Sequence, residues 1–258
     1  MTIYMQQSAR IAQMLPMTEA ERAARVELAA CYRVFDMLGW TEMIFNHITL
    51  RVPGPEPRFL INPFGLHYRE VTASSLVLID LEGNILRESR WPVNKAGFVI
   101  HSAIHGALPH AHCVMHTHTT TGVAVSCLKD GLSSDNFYGA MLHGRVAYHE
   151  LEGVTVDLAE RESLVRDLGE REVMILRNHG LLAWGASVAE AYLRLWTLQR
   201  ACDVQVAAAR AGGEINRVRP EVVARMLQES GPGEKRTCED VFAAMVRLVD
   251  ARDPSYRD

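Results

Sequence analysis

His116, Thr117 and His118 place two histidines on alternate positions of an apolar, strand-like run that begins at Cys113. Strand side chains alternate between faces, so His116 and His118 share a face, about 7 Å apart along the chain. Two imidazoles so arranged can grip one metal ion at about 2.0–2.1 Å each. Alone, the pair reads equally well as two hydrogen-bonded core histidines. His179 shifts that balance. It stands in a polar turn, Asn178-His179-Gly180, right after the apolar run Val173–Leu176, where a side chain can project from the end of a sheet. Gly180 is expected to let the backbone turn there without steric penalty. Spacing does not by itself bring His179 to the other two, so convergence of the three on one ion is an expectation. Three neutral imidazoles would leave coordination positions open, as in a catalytic rather than a structural site. A divalent ion so held can polarise a carbonyl or bind a hydroxy-keto unit through two oxygens.

The elements that would position these residues can be read from caps and periodicity. Thr18 reads as a helix N-cap, with Glu21 completing a capping box. The helix runs to about Leu38 and ends at Gly39. Strand-like pieces follow at Ile44–Val52, Arg58–Ile61 and Leu76–Asp80, the last forming an expected hairpin with Ile85–Arg87 across Glu82-Gly83-Asn84. Asn94 is placed to cap a second helix, which Pro109 stops. On that helix His101 and His105 stand at i and i+4. They could imitate a metal pair, but their apolar neighbours favour a buried structural role. Cys113–His118, Val173–Leu176 and Leu181–Trp184 are further strands, the last two joined by the 178–180 turn. Ser187 with Glu190 is a second capping box, opening a long helix to about Ala211 that Gly212-Gly213 ends. Two short amphipathic helices split by Gly231-Pro232-Gly233 complete the chain. Mixed strands and helices with hairpins imply an α/β layered fold around a mixed or antiparallel sheet. The division expected is an N-terminal arm at 1–17, a main domain at 18–215, and a helical appendage at 216–258.

Composition narrows the function classes. The 258 residues are 48% hydrophobic and 22% charged, enough apolar content for a large core and too much for wholesale disorder. The net charge of -4 lacks the basic excess of a nucleic-acid or anionic-membrane binder. No apolar run reaches the length of a membrane span, and residues 1–17 lack the pattern of a signal peptide. The five cysteines are odd in number and form no Cys-x-x-Cys, so neither a disulfide framework nor a zinc knuckle is expected. A reduced, cytoplasmic setting follows as the default expectation.

Several separated motifs carry a family resemblance. Gly39–Thr49 (GWTEMIFNHIT), Leu60–Gly65 (LINPFG), Val71–Leu76 (VTASSL), Asn94–Phe98 (NKAGF), His116–His118, Val146–His149 (VAYH) and Arg177–Gly180 (RNHG) occur in order over about residues 20–215. Together they make the chain resemble the class II aldolase/adducin family, with the pattern of the adducin head domain joined to the metal-binding histidines of the aldolases. The resemblance implies a three-layer α/β/α fold with a central mixed, mostly antiparallel sheet. It also implies a cyclic homotetramer with sites near subunit boundaries, and it makes His116, His118 and His179 the metal ligands. Zn²⁺ is the first expectation, with Mn²⁺ or Fe²⁺ able to occupy the same ligands.

Departures from the family pattern bear on the substrate. The aldolase glutamate that lies four residues before a helix histidine is Gly97 here, before His101. A Ser-Ser pair is Lys95-Ala96, a Thr-Gly pair is Phe64-Gly65, and a glycine is Phe45, beside Asn46. Phenylalanine donates no hydrogen bond and fills space that a phosphate needs. Lys95 brings one positive charge, suited to a carboxylate. Asn46, His47, Asn62, Gly65 and Lys95 are therefore expected to contact substrate. Tyr148 and His149 are the candidates for the missing acid/base, with strand-end packing as the competing reading. Three functions stay open. The first is a metal-dependent lyase, aldolase- or decarboxylase-like, acting on a small unphosphorylated keto or hydroxy carboxylate through a metal-stabilised enolate. The second is an adducin-like, non-enzymatic interaction module with a vestigial metal site. The third is an iron-dependent oxygenase on the same scaffold.

Overall fold

The computed structural model describes residues 16–153, 160–229 and 235–258; the side chains of residues 95–97 and 160 are outside that description. Most of the expected N-terminal arm and the Gly231-Pro232-Gly233 break therefore lie outside the described residues.

The first helix, α1 (Glu19–Leu38), is bounded as its caps require. Thr18 Oγ1 accepts from the Glu21 N–H, and Gly39 closes the helix in the left-handed region at φ 73°. The expected capping box is only half formed. Glu21 is fully buried, and its carboxylate turns inward to Arg25 at 2.8 Å and to Arg87. A buried carboxylate gains more from two guanidinium groups than from one exposed N–H. After α1 come β1 (His47–Val52), β2 (Arg58–Ile61), a single 3-10 turn (Tyr68–Glu70) and β3 (Val77–Ile79). The hairpin expected beyond β3 reduces to one isolated bridge, Ile79 to Ile85. Asp80 Oδ1 accepts from the Glu82 and Asn84 N–H groups and curls the chain, while Arg87 is drawn off to Glu21.

Next are α2 (Lys95–Ala107), which Asn94 precedes without a side-chain cap, β4 (Cys113–Thr117), α3 (Thr120–Ser126), α4 (Phe137–Met141) and β5 (Val146–His149). The two short helices α3 and α4 are too brief to show a helical apolar period, so their sequence reads as loop. Then follow α5 (Glu160–Leu168), β6 (Val173–Leu176), β7 (Gly180–Gly185) and α6 (Val188–Ala211). Ser187 Oγ caps α6 through the Glu190 N–H, but Glu190 returns its carboxylate to Ala186 N–H, one residue before the cap. The chain ends with α7 (Pro220–Glu229), α8 (Lys235–Arg252) and a 3-10 turn (Pro254–Arg257). With 18 residues, α8 is longer than the short helix expected there.

The seven strands make one sheet in the order β3-β2-β1-β4-β7-β6-β5. Every neighbouring pair is antiparallel except β5 with β6. Alternation sorts the side chains into two layers. Ile48, Leu50, Met115, Ile175 and Ala183 face the larger core with α1, α6 and α8. Val114, Ala147, Leu176 and Leu182 face the other way, against α2 and α5, while Phe59, Ile61 and Phe98 extend that side toward the sheet edge. The architecture is thus a three-layer α/β/α fold around a mixed, mostly antiparallel sheet. The last turn is tied back to the body: Ala73 and Ser74 N–H groups donate to the Tyr256 and Asp258 carbonyls, and Arg33 pairs with Asp253 at 2.8 Å. Among the described residues, no helix is long and apolar enough to cross a membrane.

Candidate metal centre

Antiparallel pairing gathers the chemistry at one end of the sheet. The C-terminal end of β4 lies beside the start of β1 and the start of β7: His47 is opposite His116, and Thr117 is opposite Leu181. His179 immediately precedes β7, in a tight turn made by Asn178 at φ 57°. The turn therefore delivers His179 to the strand that carries His116, with His118 one residue beyond β4. The three rings meet with centroids 4.6 Å (His116–His118), 4.8 Å (His116–His179) and 4.8 Å (His118–His179) apart. One ligand nitrogen from each falls within 4.8 Å of the others, and the facing Nε2 atoms of His116 and His118 are 2.7 Å apart.

Gly180 has a role the sequence reading did not assign. The left-handed residue of the turn is Asn178, not Gly180. What Gly180 supplies is space: a Cβ there would sit 2.3 Å from the Thr117 carbonyl, 3.1 Å from the His118 ring and 3.2 Å from the His116 ring.

The donor set suits a divalent ion. His116 Nδ1 lies 2.9 Å from the Leu181 carbonyl, which can only accept, so Nδ1 bears the proton and Nε2 presents its lone pair to the cluster. Burial, reinforced by His179 and His118, pushes the His116 imidazole well below its ordinary range. Burial likewise lowers His118, and burial, reinforced by the neighbouring His118 and His149 rings, takes His179 down to about 4. All three are neutral near pH 7, the form that ligates a metal.

The remaining expected site residues are placed unevenly. His47 is buried, its ring 5.9 Å from His116 and 4.0 Å from His101. Asn46, beside it, is buried in the left-handed region at φ 65°, and its Oδ1 has no hydrogen-bond partner among the described residues. Strain and an unmet acceptor together are marks of a functional position. Asn62 leads from the same end of the sheet, but its Oδ1 lies 3.0 Å from the Tyr32 hydroxyl, whose one proton it shares with the Ile48 carbonyl. That hydroxyl also bonds the Ile48 carbonyl and the Asn62 N–H, so Asn62 is tied into a core junction. Gly65 lies at φ 111° against the Trp91 ring. Phe45 and Phe64 stand 6.3 Å apart at this end, Phe45 being 42% exposed. The Lys95 side chain lies outside the described residues.

Tyr148 and His149 need separating. Strand alternation sends them to opposite faces of β5. His149 is buried on the α5 side, its Nδ1 2.8 Å from Asp167. Tyr148 packs with the larger core, under the Arg177 guanidinium, and its hydroxyl accepts from Leu132 N–H at 3.0 Å. Within one subunit, Tyr148 is therefore a packing residue on the face away from the histidines. His101 and His105 are buried and share the Thr49 hydroxyl, as the structural reading required. Asp167 is the site neighbour that sequence reasoning missed, because no local signal links it to His149, 18 residues earlier.

Three imidazoles thus converge beside the tight β6–β7 turn, at one end of the sheet of an α/β/α sandwich. Residues 26–206 match the family described as Class II Aldolase and Adducin N-terminal domain, and the chain belongs to that family. It is 41% identical to rat (Rattus norvegicus) α-adducin over 90% of its own length, spanning 34% of that protein. Among solved structures, an aldolase II superfamily protein from Pseudomonas syringae shares 45% identity at a TM-score of 0.89, covering 93% of this chain and 97% of that one. An L-fuculose 1-phosphate aldolase from Glaciozyma antarctica shares 29% identity at a TM-score of 0.80, covering 98% of this chain and 99% of that one.

Proposed function

We propose that this chain is a metal-dependent lyase, aldolase- or decarboxylase-like, acting on a small unphosphorylated keto or hydroxy carboxylate. The observation that carries the reading is the convergence of the His116, His118 and His179 nitrogens, with His116 held by Leu181 in the tautomer that offers a ligand lone pair. When bound, a divalent ion supplies polarisation of a substrate carbonyl and stabilises negative charge developing on its oxygen. Zn²⁺ suits three neutral nitrogen donors, and Mn²⁺ or Fe²⁺ can use the same set. His149, oriented by Asp167, would be the residue to move a proton on the same face of the sheet as His116. Asn46 and His47 bound the same end of the sheet, and Lys95 at the start of α2 supplies the charge that would meet a carboxylate.

Phosphate is the competing substrate class, since the Glaciozyma enzyme that this chain resembles acts on a sugar phosphate. Against it stand Phe45 and Phe64, neither of which can donate a hydrogen bond to a dianion, and an uncompensated buried charge costs several kcal/mol. The test is metal analysis of the purified protein, followed by paired titrations of the metal-loaded form with L-fuculose 1-phosphate and with a panel of small keto and hydroxy acids. We expect one ion per chain and binding with turnover only in the second set. Turnover of the sugar phosphate would overturn the substrate assignment. Absence of metal and of turnover in both arms would favour an adducin-like interaction module, the reading that Gly97 in place of the aldolase glutamate supports.

A further inference from the structure

Behind the metal cluster runs a chain of hydrogen bonds whose direction follows from donor and acceptor chemistry. His105 Nδ1 lies 2.8 Å from the Ala111 carbonyl, which can only accept, so Nδ1 carries a proton. Burial pushes the His105 imidazole down to about 3, so the ring is neutral and its Nε2 is bare. That Nε2 lies 2.8 Å from Thr49 Oγ1 and must accept the hydroxyl proton. The hydroxyl has a single proton, so its second contact, 2.7 Å to His101 Nδ1, is one it accepts. His101 is therefore protonated at Nδ1. Burial holds this ring neutral as well, which leaves Nε2 as a bare lone pair.

The Nε2 of His101 is fully buried and has no hydrogen-bond partner among the described residues. Its ring lies 4.0 Å from that of His47, whose own ring lies 5.9 Å from His116 and whose backbone is paired with His116 across β1 and β4. Three imidazoles thus follow one another in tilted contact, at 48° and 53°, from the relay to a member of the three-histidine cluster, and the relay fixes the orientation of the first.

We infer that His101 is a positioning residue of the metal site: the Ala111–His105–Thr49 relay locks its ring, and the locked ring holds His47 against His116. The inference rests on the reading of His116, His118 and His179 as metal ligands. It adds that the hydroxyl of Thr49, two residues along β1 from His47, matters to that site.

Two substitutions separate the relay from packing. Thr49→Val keeps the shape and removes the hydroxyl; Thr49→Ser keeps the hydroxyl and removes the methyl. Nitrogen-15 imidazole NMR on the metal-free full chain reads the protonated nitrogen of His101 and the ring signals of His116, and zinc titration reads affinity. In the wild type we expect His101 protonated at Nδ1 and bare at Nε2. Thr49→Val should abolish that preference, shift the His116 ring signals and weaken zinc by about 10-fold, the lower end for outer-shell changes. Thr49→Ser should match the wild type. A wild-type His101 protonated at Nε2 overturns the relay even if no variant folds. A normal Thr49→Val beside an impaired Thr49→Ser reduces Thr49 to packing and also overturns it. A shifted tautomer with unmoved His116 signals shows that the relay stops short of the site, against the inference. Failure of the wild type to bind zinc refutes the metal reading instead, while the His116 signals still decide whether the relay reaches that ring.

Discussion

The candidate site depends on three side chains and one missing side chain. His116 is held by Leu181 and buried, so it acts as the anchor, while His118 and His179 are half-buried and complete the set. Replacing any one by alanine leaves two imidazoles, too few to retain zinc against dilution. We expect His116→Ala, His118→Ala and His179→Ala each to bring bound metal to background while the circular dichroism spectrum is preserved. Gly180 is the missing side chain. In Gly180→Ala the new methyl would collide with backbone at Thr117, and neither that carbonyl nor the two adjacent rings can yield cheaply. Overpacking of this kind costs about 1–3 kcal/mol. The variant should melt earlier and bind zinc more weakly; unchanged metal affinity would show that the rings have room to move. Lys95→Ala is expected to lower affinity for a carboxylate substrate without lowering metal content, which a paired titration and metal analysis would show.

At the scale of elements, the helix that opens the domain is pinned by a buried charge cluster. Glu21 on α1 receives Arg25 from its own helix and Arg87 from the loop after β3, and Arg25 also donates to the Ala73 and Leu76 carbonyls. Burial alone would raise the Glu21 carboxyl, yet the hydrogen bonds from Arg87 and Arg25 hold it below its ordinary value. A carboxyl depressed in the folded state stabilises the fold above its unfolded pKa, and that stability is lost as pH falls through the folded value. Acid unfolding of the wild type should therefore show a contribution below about pH 4.5 that is missing from Glu21→Gln. Removing the carboxylate outright, in Glu21→Ala, leaves two guanidinium groups facing each other without a counter-charge. Breaking a buried pair in this way costs about 3–5 kcal/mol, readable as a lowered denaturant midpoint. The last helix is similarly embedded. Phe242, 6% exposed, packs on Tyr192 of α6, and Cys238, Val249 and Tyr256 belong to the same core as α1. Phe242→Ala should cost about 3–5 kcal/mol, which a thermal melt would register.

At the scale of the molecule, the single chain leaves several large apolar side chains in solvent. Met43 is 66% exposed, Phe137 64% and Leu151 53%, and Phe45 is exposed near the metal end of the sheet. Scattered apolar residues are ordinary on a surface, but aromatic and methionine side chains near a site are what a neighbouring subunit would cover. We propose a homotetramer whose subunits meet near the metal end. Sedimentation velocity at micromolar concentration should report four chains, and Phe137→Asp should shift the distribution toward smaller species. A monomer in the unmodified protein would refute this assembly.

Much of the site was legible because local chemistry wrote it. A His-x-His on a strand must put both rings on one face, and a polar turn after an apolar strand must lie at a sheet's end. The caps at Thr18, Gly39, Ser187 and Gly212 bound their helices where their side chains and left-handed backbone demand. What the sequence by itself determined is therefore most of the elements, the ligand residues as candidates, and the departures at Phe45, Phe64 and Ala96 on which the argument against a phosphate rests. What only the tertiary structure decided is which residues meet. Strand order brought β7 beside β4, so that His179 reached His116 across 63 residues of chain; no local rule dictates that neighbour. The face of β5 separated Tyr148 from His149, because alternation has a sense only once the sheet's two layers exist. The same holds for Glu21 and Asn62: each looked like a local cap or a pocket residue until burial made the nearest partner, Arg87 or Tyr32, the stronger claim on its oxygen.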